Sequence, residues 1–121
     1  MKALILAAMA VVMLMAVEAG ASDKDGHYRT YSQSCPKYLE SRQEPKGTVN
    51  RESAHDWVSG YLTAANLFGD DTYDILGGSE REAALFWLEN WCRANPFKGI
   101  ANGMEAFFHE RHPHRLKTAP K

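Results

Sequence analysis

The sequence predicts an all-α protein: a small four-helix domain with one disulfide, which follows a cleaved signal peptide. Three observations predict this class. Apolar residues recur at spacings of three and four in separate segments, which is the pattern of one face of an α-helix. No stretch of useful length alternates apolar and polar residues as a half-buried strand does. The chain also has two cysteines and an N-terminus of the export type.

The N-terminal segment has the pattern of a secretory signal peptide. Lys2 precedes an unbroken apolar run over residues 3–17, and residues 19–21 are small, as signal peptidase requires. About 15 apolar residues at about 1.5 Å each do not cross a hydrocarbon core of about 30 Å. We therefore predict cleavage after Ala21 and an exported protein with no membrane contact after cleavage. A retained membrane anchor is the alternative.

The sequence predicts four parts of the chain: signal peptide 1–21, flexible leader 22–33, helical domain 34–113 and C-terminal tail 114–121. About 100 mature residues suffice for one domain and are too few for two. The formal net charge of −1 favours neither nucleic acid nor an anionic membrane surface as a partner.

Cys35 and Cys92 are predicted to form a structural disulfide. Exported compartments are oxidising, and an even cysteine count without a CxxC motif favours a bridge. The alternative is a nucleophilic thiolate with His55 or His109 as its base. No cysteine-hydrolase signature surrounds either cysteine.

The first two helices are predicted from a cap and a periodic stripe. Ser34 is the predicted N-cap of a short first helix. Its inward-facing residues are Cys35, Tyr38 and Leu39. The second helix follows a linker of turn formers, 45–50, and ends at Gly69. Its apolar stripe is Ala54, Trp57, Val58, Tyr61, Leu62 and Ala65. Gly60 interrupts this helix, and we expect it to allow a second helix to approach closely.

The third and fourth helices are predicted in the same way. The sequence SERE, residues 79–82, matches a capping box that begins the third helix. Its buried stripe is Ala84, Leu85, Leu88, Trp91 and Cys92. The dipeptide 95–96, Asn-Pro, is expected to end the third helix and to open the fourth. The inner face of the fourth helix is Ile100, Met104, Phe107 and Phe108, and Pro113 ends it.

The loop 69–78 between the second and third helices is too apolar for a free linker. Tyr73, Ile75 and Leu76 are expected to fold back on the core. Its aspartates, Asp70, Asp71 and Asp74, could suggest a calcium site. Their spacing lacks the ligand pattern of an EF-hand loop. We predict a solvated acidic loop, with no metal and no cofactor.

A histidine-rich patch, HERHPHR, occupies residues 109–115. His109 and His112 are three residues apart near the end of a helix, and His114 follows, so the set could chelate a divalent metal. The alternative, which we predict, is a solvated C-terminal tail whose histidines could make binding depend on pH. His55 is predicted to be an ordinary surface histidine of the second helix.

Trp87 and Tyr73 are the candidate protein-binding residues. Trp87 lies off the apolar stripe of its helix, and exposed aromatic residues are enriched at binding hot spots. Packing of Trp87 against the loop 69–78 is the alternative, and it is the one that we predict for this side chain. Glu89 and Glu105 are predicted to be single surface carboxylates, and a hydrolase that uses paired carboxylates is the alternative. The sequence has no GxSxG, HExxH or P-loop motif, so we predict no catalytic residues and no enzyme.

Five segments together resemble small periplasmic helical proteins of Gram-negative bacteria: SCPKYL, WVSGYLTAAN, TYDILGG, WLENWCRANP and the closing amphipathic helix. The chain is similar to two groups of such proteins, the Rap/Tai immunity proteins of type VI secretion and the HdeA-like acid-resistance chaperones. The resemblance runs from about Ser34 to Pro113 and implies an exported, all-helical, disulfide-linked domain. Immunity proteins often carry additional cysteines, and the aromatic, histidine-bearing third and fourth helices depart from HdeA.

The resemblance implies two functions. The first is a protein that binds and neutralises a toxic effector in the periplasm. The second is a chaperone that becomes strongly cationic at low pH and exposes apolar helix faces to unfolded clients. Acid would protonate the carboxylates and the five histidines, so charge repulsion is physically available to this chain. An enzyme is the third and least supported class, and the sequence does not indicate an oligomeric state.

Overall fold

The computed structural model describes Gly26 and residues 33–121. The predicted signal peptide lies outside the described residues, as does most of the predicted leader. In the described part the chain forms four α-helices and one 3₁₀ turn. They are α1 Cys35–Gln43, α2 Val49–Phe68, α3 Arg81–Ala94, α4 Ile100–Arg111 and the turn His112–His114. Backbone pairing between extended residues there is limited to two isolated bridges. The predicted all-α, four-helix class is confirmed.

The core lies around α3, which packs against each of the other three helices. The predicted stripes supply it, because residues one helical turn apart face the same side. The buried core residues are Cys35, Tyr38, Ala54, Val58, Leu62, Ala65, Ile75, Ala84, Leu85, Leu88, Cys92, Ile100, Met104 and Phe107. Partly buried hydrophobic residues pack against it: Leu39, Trp57, Tyr61, Leu76, Trp87, Trp91 and Phe108. Four periodic segments therefore become four helix faces around one core.

A disulfide between Cys35 and Cys92 ties the start of α1 to the end of α3. The predicted pairing is confirmed, and it excludes the alternative of a reactive thiolate. The backbone supports the same junction, since the Cys35 N–H donates to the Lys98 carbonyl at 2.9 Å. The predicted cap of α1 is also present, with the Lys37 N–H donating to Ser34 Oγ at 3.4 Å.

Two predicted helix starts are wrong. The SERE segment does not form a capping box: α3 begins after Glu80, and no side chain caps it. The Glu82 carboxylate accepts from the Arg42 guanidinium instead, at 3.0 Å. The Asn-Pro dipeptide ends α3 as predicted, but α4 begins only after Gly99. There the Asn102 side chain accepts from the Gly99 N–H at 3.3 Å.

The glycine at which two helices approach closely is Gly103, in α4, and the expectation for Gly60 is wrong. A Cβ added at Gly60 would meet no atom within 4 Å. A Cβ at Gly103 would collide with Leu88 Cδ1 and lie 2.8 Å from Trp91 Cε3. Gly103 therefore sets the distance between α3 and α4, because only a residue without Cβ fits there.

The loop 69–78 folds back on the core only in part. Ile75 is fully buried, as predicted, whereas Tyr73 is 51% exposed, so the expectation that its side chain packs inward is wrong. The Ile75 N–H donates to Asn66 Oδ1 at 2.8 Å and fixes the loop to the last turns of α2. The Asp74 carboxylate accepts backbone N–H groups of its own turn, including that of Gly78 at 2.7 Å. Asp74 therefore shapes the loop.

Residues 112–117 pack against this loop. Leu116 pairs with Asp74 as an isolated antiparallel bridge. Arg115 Nε donates to the carbonyls of Asp70 at 3.1 Å and Asp71 at 2.9 Å. The prediction of a solvated tail is thus wrong for this stretch, because the chain after α4 holds the loop in place.

Candidate functional site

The polar centre of the molecule is the guanidinium of Arg42, in the last turn of α1. Its side chain is only 9% exposed. Nη2 donates to Glu82 Oε1 at 3.0 Å, and Nε donates to Glu89 Oε2 at 3.2 Å. Nη1 lies 3.0 Å from Nε2 of His55 in α2. One cation therefore joins α1, α2 and α3 by three hydrogen bonds.

His55 is buried, at 6% exposure, so its predicted place on the surface of α2 is wrong. Arginine can only donate, so the Arg42 contact requires His55 Nε2 to accept and the ring proton to sit on Nδ1. Burial, together with the positive charge of Arg42, lowers the pKa of His55. The imidazole is therefore held neutral at the centre of the domain.

Glu89 is also more than a surface carboxylate. Its side chain is 16% exposed and accepts from Arg93 Nη2 at 2.6 Å as well as from Arg42. The Arg93 hydrogen bond, with a smaller contribution from Arg42, lowers the pKa of Glu89. The hydrogen bond from Arg42 lowers the pKa of Glu82 likewise. Both carboxylates stay ionised at neutral pH and balance the buried guanidinium.

A polar cleft of about 210 Å³ opens beside this cluster. The residues that line it are Lys46, Arg51, Glu52, His55, Arg81 and Glu82. The cleft lies between the beginnings of α2 and α3. The residues that α2 contributes come from its N-terminal half, and those that α3 contributes are its first two. Three of the lining residues, Lys46, Arg51 and Arg81, are basic, which favours an anionic occupant.

Trp87 packs against its neighbours and does not stand free. Its Nε1 donates to Glu110 Oε1 at 3.0 Å, and its ring meets that of Phe107 edge to face, with centroids 5.2 Å apart. Together with Leu76 of the loop it lines a second, smaller cleft of about 150 Å³. This placement agrees with the alternative of packing against the loop, while the proposed binding role of Trp87 and Tyr73 stays a prediction.

Several large apolar side chains are exposed at positions that the stripes do not include. They are Val49 at 80%, Leu67 at 70%, Phe68 at 83%, Tyr73 at 51%, Phe86 at 61% and Phe97 at 99%. Leu67 and Phe68 end α2, and the bond from Ile75 to Asn66 brings the Tyr73 loop back to the same end. We call Leu67, Phe68 and Tyr73 the α2-end patch.

The histidine-rich patch is not gathered into a chelating set. Among residues 33–121, no group of three or more His, Cys, Asp or Glu side chains could hold a metal ion. His112 Nε2 instead lies 3.2 Å from the Asp70 carbonyl. The centroid of the His112 ring lies 5.2 Å from that of the Phe108 ring. Within the described residues, no helix is long and apolar enough to cross a membrane.

No protein-family model, curated protein or solved structure matches this chain. The resemblance to Rap/Tai immunity proteins and HdeA-like chaperones therefore stays a prediction.

Sequence reasoning missed the Arg42 cluster entirely. The one signal that could have indicated it is the seven-residue spacing of Glu82 and Glu89, which places both carboxylates on one side of α3, two turns apart. Nothing in the local sequence of Arg42 or His55 shows that these side chains meet, because the contact depends on how α1 and α2 pack against α3.

Proposed function

We propose that this protein is exported to the periplasm and acts there without catalysis, by binding another protein in the manner of an immunity protein. The observation that supports this proposal is the α2-end patch. Leu67 and Phe68 are at least 70% exposed on a helix whose other face is firmly packed. Exposed apolar clusters of this kind mark interaction sites more often than isolated apolar residues do.

The loop that carries Tyr73 of the patch is anchored by hydrogen bonds, which favours tight binding. The Asn66 side chain holds the loop through the Ile75 N–H, and the bridge between Asp74 and Leu116 holds its other side. The helix carrying the patch is tied to α1 and α3 through the His55 contact with Arg42. A surface that is already ordered loses little conformational entropy when a partner binds.

The side chains of the α2-end patch indicate what kind of partner surface it would fit. Two large apolar side chains and one tyrosine would fill apolar pockets on a folded protein. The exposed carboxylates of Asp70 and Asp71 lie in the chain between Phe68 and Tyr73 of the patch, and Asp71 forms an ion pair with Lys117 at 3.6 Å. The expected partner surface is therefore apolar at its centre and basic at its rim.

The test is capture from periplasmic extract of the native host by the mature, oxidised protein at neutral pH. The double variant Leu67→Ser/Phe68→Ser should lose the captured protein. The matched control is Phe97→Ser, which removes a 99% exposed phenylalanine from the connection between α3 and α4. With the captured protein purified, calorimetry should show at least a ten-fold weaker Kd for the double variant, or about 1.4 kcal/mol. Equal binding by all three proteins would overturn the proposal.

A second function, an HdeA-like acid-stress chaperone, is supported by a different observation. His55 is buried against Arg42, so its protonation would place two cations in contact between three helices. Loosening there would expose the apolar faces of the helices to unfolded clients. Suppression of client aggregation at pH 2–3 and not at pH 7 would support this function, and equal inactivity at both would exclude it.

A further inference from the structure

The polar cleft between α2 and α3 contains cationic donors that the fold does not use. Arg81 Nη1 donates to Ser59 Oγ at 3.2 Å, which leaves its other donors without an acceptor among the described residues. Lys46 also lines the cleft, and its ammonium makes no hydrogen bond or ion pair with the described residues. Both side chains line the cleft, so their donors are available to an occupant.

Arg51 supplies a third cation, and its orientation is fixed. Its Nη1 donates to the Arg42 carbonyl at 3.1 Å and to the Glu44 carbonyl at 2.7 Å. These bonds hold the guanidinium against the end of α1, where the last carbonyls of a helix have no partner of their own. Nε of Arg51 is buried and has no acceptor in the described structure. Arg51 therefore brings to the cleft wall a positive charge whose orientation is fixed and one of whose donors is buried and unpaired.

The carboxylates of the cleft are already engaged. Glu52 Oε1 accepts from the Gly47 N–H at 2.9 Å. Glu82 Oε1 accepts from Arg42, which lies behind the cleft. The positive side chains of the wall thus outnumber the carboxylates, and both carboxylates have donors of their own. The space of about 210 Å³ is several times the volume of one water molecule, about 30 Å³ in the liquid.

We propose that this cleft is a binding site for an oxyanion, held by Lys46, Arg51 and Arg81. Guanidinium groups pair with phosphate and carboxylate oxygens through paired N–H donors, and the lysine adds a mobile charge. A free inorganic anion or the carboxylate of an acidic peptide would supply the same group. This site is separate from the α2-end patch and does not depend on the function proposed for it.

The test uses the mature, oxidised protein at pH 7 and constant ionic strength. Inorganic phosphate is titrated in one arm and a blocked aspartate peptide in the other, with backbone amide and His55 ring resonances followed by NMR. Saturable shifts should appear at cleft residues. Arg81→Gln and Lys46→Gln should each weaken the affinity at least about five-fold, as for a hydrogen bond to a charged group. Lys98→Gln, an exposed lysine outside the cleft, is the charge-matched control.

Each outcome of this experiment is decisive. Saturation by phosphate alone would identify the ligand of the cleft as a small inorganic anion. Saturation by the peptide alone would identify it as a carboxylate. Saturation by both assigns the shared oxyanion chemistry. Shifts that grow linearly with either ligand, or an equal loss of affinity in Lys98→Gln, would overturn the proposal.

Discussion

Arg42 Nη1 and His55 Nε2 lie 3.0 Å apart where α1, α2 and α3 meet. The hydrogen bond exists only while the imidazole is neutral, because arginine can only donate and both ring nitrogens of a protonated histidine are donors. Protonation of His55 would replace an attraction with a repulsion between two cations. This contact makes the packing of three helices sensitive to pH.

The first prediction concerns this sensitivity. Since the pKa of His55 is lowered in the folded protein, the unfolded chain binds the proton more tightly. The free energy of unfolding should therefore fall as the pH drops below about 6.5, the ordinary value for histidine. His55→Gln keeps an acceptor for Arg42 and does not titrate, so its stability should change less between pH 7 and pH 5. Urea unfolding measures the difference.

The control for this prediction is His109→Gln, which changes an exposed histidine of α4. It should retain the full pH dependence of the wild-type protein. Glu82 and Glu89 affect the free energy of unfolding only at lower pH, because their pKa values are lowered from an ordinary value of 4.5. If the free energy of unfolding changes equally with pH in the wild-type protein and in His55→Gln between pH 7 and pH 5, His55 is not the group responsible.

The second prediction is that Arg42→Met is strongly destabilising. The substitution leaves Glu89 mostly buried, with only the Arg93 pair, and should cost about 3 kcal/mol of unfolding free energy. Arg93→Met removes the other partner of the same carboxylate, but Arg93 is 55% exposed, so the cost should stay below about 1 kcal/mol. Denaturant titration of both variants compares them directly. Similar losses would show that Arg42 is not the central partner.

The third prediction separates two glycines inside helices. Gly103→Ala forces a methyl group against Leu88 and Trp91, which should destabilise the protein by about 1–3 kcal/mol. Gly60→Ala adds a methyl group in open space and improves helix propensity, so it should stabilise the protein by about 0.5–1 kcal/mol. Thermal unfolding of the two variants should give shifts of opposite sign. A stabilised Gly103→Ala would contradict the close approach of α3 and α4.

The fourth prediction concerns the disulfide. The bridge spans 57 residues of sequence, and the chain-entropy model gives it about 4 kcal/mol of stabilisation. The double variant Cys35→Ala/Cys92→Ala should unfold at a correspondingly lower urea concentration. Reduction of the wild-type protein should reproduce this shift and should leave the double variant unchanged. A reducing agent that shifts both proteins equally would show an effect unrelated to the bridge.

The apolar stripes could be predicted from the sequence because they depend on local periodicity. Val58, Leu62, Leu88 and Met104 each lie on the face that their spacing indicated, and all are buried. The cysteine pairing could also be predicted, since a chain with two cysteines allows only one intramolecular disulfide. These features require no knowledge of how the helices pack.

The candidate site could not be predicted because it depends on packing. His55 lies off the apolar stripe of α2, two residues before Trp57, and looks like a surface residue until α1 covers it. The two glycines show the same limit: the sequence places both in helices, but only the arrangement of α3 and α4 shows which one is crowded. The capping box predicted for the SERE segment is absent for a related reason. The Glu82 carboxylate bonds to Arg42, 40 residues away in the sequence, and not to the start of its own helix.

The proposed function requires an exported domain whose first and third helices are joined covalently before it meets a partner. Peptide mapping by mass spectrometry, on protein isolated from the native host, tests this most directly. We expect a mature chain that begins at Ser22 and a cross-linked peptide containing Cys35 and Cys92. Intact Met1 with both thiols free would contradict the export of the protein and the covalent support of its fold.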